Sequence, residues 1–294
     1  MYRKPNWSKE GKDWPLKETS RFIGAGGINW HVQIQGTGPV LLLLHGTGSA
    51  THSWATLAPL LAPHFTIVAP DLPGHGFTDT PRGDGLSLPG MAVLINALVQ
   101  ALDIKPFAII GHSAGAAIGA ELVLSGKMNV AHLIALNGAF KPFDGVAMHL
   151  FPTVAKLIAL NPLTILALAS GGGDLGRVSQ LLEGTGSKVD PVTQGHYARL
   201  FGTPGHVAGV MGMMARWELG KLVPRLPKLA IIVTLIVGSN DQTISPEVSA
   251  HVARLVPNGT VVTLPGLGHL AHEEDAPSVA LAIETALART HEGS

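Results

Sequence analysis

Short, unbroken apolar runs recur along the chain, each closed by glycine, proline or another turn-forming residue. They are "VLLLLHG" (40–46), "FTIVAPD" (65–71), "FAIIGH" (107–112), "VAHLIALNG" (130–138), "LAIIVTLIVG" (229–238) and "TVVTLPG" (260–266). A strand with one wet face alternates apolar and polar positions, so runs without alternation predict strands covered on both faces. Ahead of them, "RFIGAGGINWHVQIQG" predicts two strands joined at Gly26-Gly27. Segments with helical spacing, 89–102, 114–125, 246–255 and 276–288, lie between several of the runs. Strands alternating with helices predict an α/β fold class, with a mostly parallel central sheet flanked by helices.

Residues 140–222 break this rhythm. They hold apolar helical pieces, the glycine cluster "SGGGD" (170–174) and "LFGTPGHVAGVMGMMARW" (200–217), with no run that reads as a strand. The segment is predicted to be a helical cap, or lid, over the strand ends. It interrupts a core domain made of 1–139 and 223–294.

Composition narrows the function classes. Lysine plus arginine (20) equals aspartate plus glutamate (20) and no basic block occurs, which argues against nucleic acid as a partner. The chain has no cysteine, which excludes disulfides, thiolate catalysis and Cys-ligated metal centres. The first twenty residues are polar and lack the apolar core of an export signal, so a cytoplasmic protein is expected. "LIALNPLTILALAS", from Leu157, is too short to span a bilayer and carries Asn161 and Pro162, so no integral membrane span is expected. A mean hydropathy of +0.31 leaves room for peripheral membrane contact.

The candidate chemistry starts at Gly111-His112-Ser113-Ala114-Gly115, a G-x-S-x-G between an apolar strand and a small-residue helix. In a nucleophile elbow of this kind the serine sits on a strained turn, and the flanking glycines avoid clashes that a side chain would make. The helix that follows points its N–H groups and positive dipole end at any developing oxyanion. The alternative is a serine that merely caps a helix.

A hydroxyl nucleophile needs a base, and the base an orienting acid. Asp241, in "LIVGSNDQT", stands three residues beyond the glycine that closes its strand, and His269, in "LPGLGHLAHEED", lies in a glycine-punctuated loop. The competing roles are a turn-capping Asp241 and a surface His269. His272 is a rival base, set aside because it reads as a helix start. "HLAHEED" lacks the H-E-x-x-H order of a metal site, so no metal is expected. The oxyanion donors are expected to be the backbone N–H groups of Ala114 and of Thr47, in the glycine-rich "HGTGSATHSW" (45–54). That loop lacks the Gly-Lys-Ser/Thr of a nucleotide site. Asp71 and His75 of "PDLPGHGFTDT" (70–80) read as loop scaffold.

"HGTG", "DLPGHGFT", "GHSAG", "GSND" and "GHLAHEE", in this order over residues 20–290, resemble the α/β-hydrolase superfamily. Serine at the elbow separates the chain from haloalkane dehalogenases and epoxide hydrolases of that fold, which use aspartate there. The opening "DWPLKETSRFIGAGGINWHVQIQGTGPVLLLLHGTGSATHSW" is similar to the BchO-type hydrolases of bacteriochlorophyll gene clusters, the magnesium-chelatase accessory proteins. That likeness implies a role near a tetrapyrrole. The resulting expectation is hydrolysis of a small-molecule carboxylic ester by Ser113, His269 and Asp241, with no cofactor.

Phe140, Phe143, Met148, Phe151, Leu157, Leu160, Met211, Met213, Met214 and Trp217 would build the apolar cap. Of these, Phe140, Met148, Met214 and Trp217, with His112, are candidates for the substrate pocket. Alternatives are an accessory protein acting on or binding a tetrapyrrole, perhydrolysis, and C–C bond hydrolysis of a vinylogous diketone. The last would need basic cap residues such as Arg177, Arg199 or Arg216 to grip a carboxylate.

Overall fold

The computed structural model describes residues 2–140, 158 and 161–291. Strands β1 (Ser20–Ala25), β2 (Ile28–Gln35), β3 (Val40–Leu44), β4 (Thr66–Pro70), β5 (Pro106–His112), β6 (His132–Leu136), β7 (Ile232–Gly238) and β8 (Gly259–Leu264) form one sheet. Their spatial order is β1-β2-β4-β3-β5-β6-β7-β8. β2 runs antiparallel to both β1 and β4, and every pairing from β4 to β8 is parallel.

The apolar runs divide by parity, as a pleated strand requires. Leu41 and Leu43 face one side with Ile110, Ile134 and Ile236, under the helices Leu57–Leu61 and Ala276–His291. Leu42 and Leu44 face the other with Ile109, Leu133 and Leu235, under Leu88–Ala101, Ala114–Leu124 and Pro246–Leu255. The predicted run from residue 229 pairs only from Ile232 on, because Leu226 and Leu229 are buried instead in and beside a 3-10 turn, Val223–Lys228.

Between β6 and β7 the described residues form helices Pro162–Gly172, Leu175–Glu183, Pro191–Phe201 and Pro204–Met214, with no strand among them. Local chemistry sets their starts. The Asn161, Asp174 and Asp190 side chains each accept a backbone N–H of the turn they open. Pro162, Pro191 and Pro204 stand in first turns, where a missing N–H costs nothing.

Hydrogen bonds on two sides, among others, tie this inserted unit to the core. His206 accepts from Gly76 N at 3.1 Å through Nδ1 and donates through Nε2 to Gly48 O at 3.1 Å, so one helix residue bridges both glycine-rich loops. On the other side Thr185 O accepts from Gln242 N (3.1 Å) and His269 N (3.3 Å), while Ser187 Oγ accepts from Leu270 N (2.8 Å). Asn240 Nδ2 donates to Gly186 O at 2.7 Å.

Asp71 is scaffold, as its sequence context predicts. Its carboxylate accepts from Thr51 N (2.7 Å), Phe77 N (2.8 Å) and His31 Nδ1 (2.8 Å), tying three segments together in the interior. No described helix is long and apolar enough to cross a membrane.

An unusual number of histidines is buried uncharged. Burial is the main cause that holds His52, His75 and His112 well below the ordinary 6.5, His206 at about 4 and His272 at about 3. The unfolded chain takes up these protons from pH 6.5 downward and the native one does not, so acid favours unfolding. Each such histidine removes up to ~1.4 kcal/mol per pH unit between its unfolded and folded values. Thermal melts are therefore expected to show a steep fall in the midpoint from pH 6.5 to about 4. A midpoint flat across that acid range contradicts this account.

Candidate active site

The site stands at the C-terminal edge of the parallel strands, where ligands of open α/β sheets collect. β5 ends at His112 and the next helix begins at Ala114, so Ser113 alone makes the turn, with φ +50° and ψ −114°. A non-glycine residue held at positive φ costs roughly 1–3 kcal/mol and persists only where its surroundings over-determine it. Here they do: Ser113 N donates to Leu136 O (2.9 Å), and Ser113 O accepts from Ala116 N (3.1 Å) and Ala139 N (3.0 Å).

The flanking glycines are there for space. A Cβ on Gly111 would lie 2.5 Å from Ala116 Cα, and one on Gly115 would lie 2.6 Å from the Leu44 carbonyl carbon. The Ser113 side chain makes no hydrogen bond to the helix it precedes, so this serine is not a helix cap.

Asp241 follows β7 and divides its two oxygens. Oδ1 accepts from Thr243 N and Ile244 N, both at 2.8 Å, and so shapes its own turn. Oδ2 accepts from His269 Nδ1 at 2.8 Å and from Asn137 Nδ2 at 2.7 Å. The sequence offered a turn-former or an orienting acid, and the carboxylate has the partners of both. With its Nδ1–H given to Asp241, neutral His269 keeps Nε2 as its basic nitrogen. His269 and Ser113 border the same cavity.

That cavity measures about 630 Å³ and lies between the strand ends and the inserted helices. Thr47, Ala114, Met214 and Trp217 line it. Neither Thr47 N nor Ala114 N is taken by a protein acceptor among the described residues, so both can serve a ligand. Among the described lining residues there is no lysine, arginine, aspartate or glutamate. Arg199 is instead paired with Asp13 at 2.7 Å through both nitrogens, and Arg216 donates to Gly212 O.

One pocket expectation is corrected. Phe140 is not in the lining: it is 1 % exposed and its ring packs in the core, where a Cβ on Gly138 would touch it at 2.6 Å. His112 does line the cavity, and its Nε2 also donates to His269 O at 2.9 Å, so it braces the loop of His269. Met211 packs among Ile165, Ala169 and Val207. Met148, Phe143, Phe151, Leu157 and Leu160 lie outside the described residues. His272, the rival base, is fully buried between Trp54 and His112, with ring centroids 4.7 and 4.5 Å away. Among the described residues no group of three His, Asp or Glu side chains could hold a metal ion.

A sequence model for the α/β hydrolase fold matches residues 39–276. The chain belongs to the α/β-hydrolase fold family. This hydrolase is 40 % identical over 263 residues to the magnesium-chelatase 30 kDa subunit of Rhodobacter capsulatus, covering 89 % of the chain and 92 % of the relative. Its fold is shared with an α/β-hydrolase fold protein from Burkholderia ambifaria, at a TM-score of 0.76 and 20 % identity, covering 96 % and 99 % of the two chains. A thermophilic esterase from Thermogutta terrifontis superposes with a TM-score of 0.74 at 22 % identity, covering 92 % and 99 %.

One contributor to this hydrolase's site went unread in the sequence. Asn137, at the end of β6, is buried with φ +47°, its N–H bonded to Ile236 O and its side chain on Asp241. Asparagine tolerates left-handed backbone better than most residues, and the Asn-Gly pair at a strand end was the available signal. A hydrogen bond to a charged group is worth about 1.5–3 kcal/mol. Asn137→Ala is thus expected to slow labelling of Ser113 by a fluorophosphonate probe roughly tenfold or more. Unchanged labelling kinetics in a folded variant removes Asn137 from the site.

Proposed function

We propose that this hydrolase cleaves carboxylic esters with an apolar acyl or alcohol group, through an acyl-enzyme on Ser113. The observation that carries this reading is the shared apolar cavity, bordered by a serine on a strained elbow and by a histidine already bonded to a buried aspartate. Ser113 Oγ attacks the acyl carbon while His269 Nε2 takes its proton. Asp241 holds the imidazole tautomer and stabilises the imidazolium. The Thr47 and Ala114 N–H groups receive the oxyanion, each such donor being worth about 3 kcal/mol in the barrier. His269 then protonates the leaving alcohol, and a water repeats the sequence to free the acid. The helices between Pro162 and Met214 act as the cap that closes the apolar site from above.

The cavity's composition favours esters over vinylogous diketones. Gripping the carboxylate of such a diketone calls for a cation, and none of the described lining residues is a lysine or arginine. A second reading, action on a tetrapyrrole or its binding, is supported by the relative named as a magnesium-chelatase subunit.

Wild type is expected to turn over p-nitrophenyl butanoate, and Ser113→Ala to lose that turnover to background. Asp241→Asn should lower kcat by about 10⁴ through the wrong histidine tautomer. Turnover that persists in Ser113→Ala defeats the ester reading. Absence of turnover in the wild type, with tight porphyrin binding by both proteins, supports the tetrapyrrole reading instead.

A further inference from the structure

Ser49 and Tyr197 form a polar corner of the apolar cavity. Ser49, in the loop that also carries Thr47, and Tyr197, on the inserted helix Pro191–Phe201, both line the wall. Ser49 Oγ lies 3.1 Å from Tyr197 Oη, and Tyr197 Oη lies 2.7 Å from Glu273 Oε1. Glu273 belongs to the short helix Ala271–Glu274, just after His269, and its side chain is only 3 % exposed. Its other oxygen, Oε2, has no hydrogen-bond partner among the described residues.

We propose that Ser49, Tyr197 and Glu273 form a proton-directed substrate subsite. It offers a hydrogen-bond donor to a substrate carbonyl oxygen when Glu273 is protonated, and an acceptor to a substrate hydroxyl when Glu273 is ionised. The proposal uses the ester-hydrolase reading only to say that substrate fills this cavity.

The logic is a count of protons. Each hydroxyl in the chain carries one hydrogen, so the direction of one bond sets the next. When Glu273 is ionised, Tyr197 must donate to it. Ser49 then donates to Tyr197 and turns only lone pairs toward the cavity. When Glu273 is protonated, the proton belongs on Oε1, the oxygen with an acceptor in reach, because a buried O–H on Oε2 would go unpaired. Tyr197 accepts it and donates to Ser49. The Ser49 proton is then released, since its nearest other acceptor, Ala50 O, is 3.5 Å away.

The surroundings favour the protonated form near neutrality. Burial, with Asp190 and Glu274 as further negative neighbours, pushes the Glu273 carboxyl up to about 8, against the lowering pull of the Tyr197 hydrogen bond. Asp190 caps the Tyr197 helix, and Glu274 is itself occupied by Gly268 N and Lys188 N. His272 Nε2 stands 3.7 Å from Glu273 Oε1 but is held neutral by burial, its value about 3. The His52 ring, 4.4 Å from that of Tyr197, is neutral for the same reason. No cation in this set steadies an ionised Glu273. Ser49 should therefore be a donor at neutral pH and an acceptor in mild alkali.

The test measures binding, not turnover, in a Ser113→Ala background. The probes are 2-nonanone and 2-nonanol, matched in shape and without a charge change in the working range, titrated calorimetrically from pH 6.5 to 9.5. The parent is expected to favour the ketone roughly threefold to tenfold at the acid end, shifting toward the alcohol with a midpoint near 8. Glu273→Gln should abolish the pH step, Tyr197→Phe should cut the relay, and Ser49→Ala should bring the ratio near one throughout. Thermal melts confirm that each variant is folded. A flat ratio in the parent, a step that survives in Ser49→Ala, or no binding of either probe overturns the proposal. Ester turnover by the wild type is scored separately, so failure of the subsite and failure of the ester reading are told apart.

Discussion

The site depends on how closely the Ala114–Leu124 helix can lie against the sheet. Gly115 sits on the Leu44 carbonyl, Gly111 lies under Ala116, and a Cβ on Gly119 would meet Ile109 Cγ2 at 3.0 Å. Only a helix of glycine and alanine on that face approaches so near. The approach forces the single residue between strand and helix into left-handed backbone, and that residue is the serine. The strain is balanced by backbone bonds from β6, so sheet and elbow hold each other in place.

Around the elbow, charge is kept scarce. Asp241 is surrounded by donors, His112 and His272 are uncharged, and the described residues of the cavity wall carry no fixed charge. In such surroundings an imidazolium or an oxyanion formed at the site is poorly screened, so the few oriented dipoles nearby act on it strongly. The inserted helices keep the same economy. His206 reaches both glycine-rich loops as a neutral ring, one nitrogen donating and the other accepting.

The layered fold and the meeting of His269 with Asp241 at the strand ends were legible because each is written in contiguous residues. Parity along apolar runs gives the faces of the sheet, and glycine spacing gives the elbow. What escaped the sequence depends on contacts between distant segments. Asn137 looks like an ordinary strand-end turn until β7 brings Asp241 beside it. Phe140 carries the composition of a pocket residue, but its position two residues past Gly138 folds it back onto the elbow helix, where Ala116 leaves room. His112 is part of the motif, yet its work on the carbonyl of His269 spans most of the chain.

The tripeptide Thr185-Gly186-Ser187 bonds to the loop of Asp241 and to the loop of His269 at once. The helices above the sheet are therefore not an interchangeable roof. Swapping them between relatives to alter selectivity would loosen the loops of both Asp241 and His269 unless those three residues travelled with the graft or were rebuilt on it. Diversification of this scaffold is channelled toward the helical faces lining the chamber and away from the seam where the two halves are sewn.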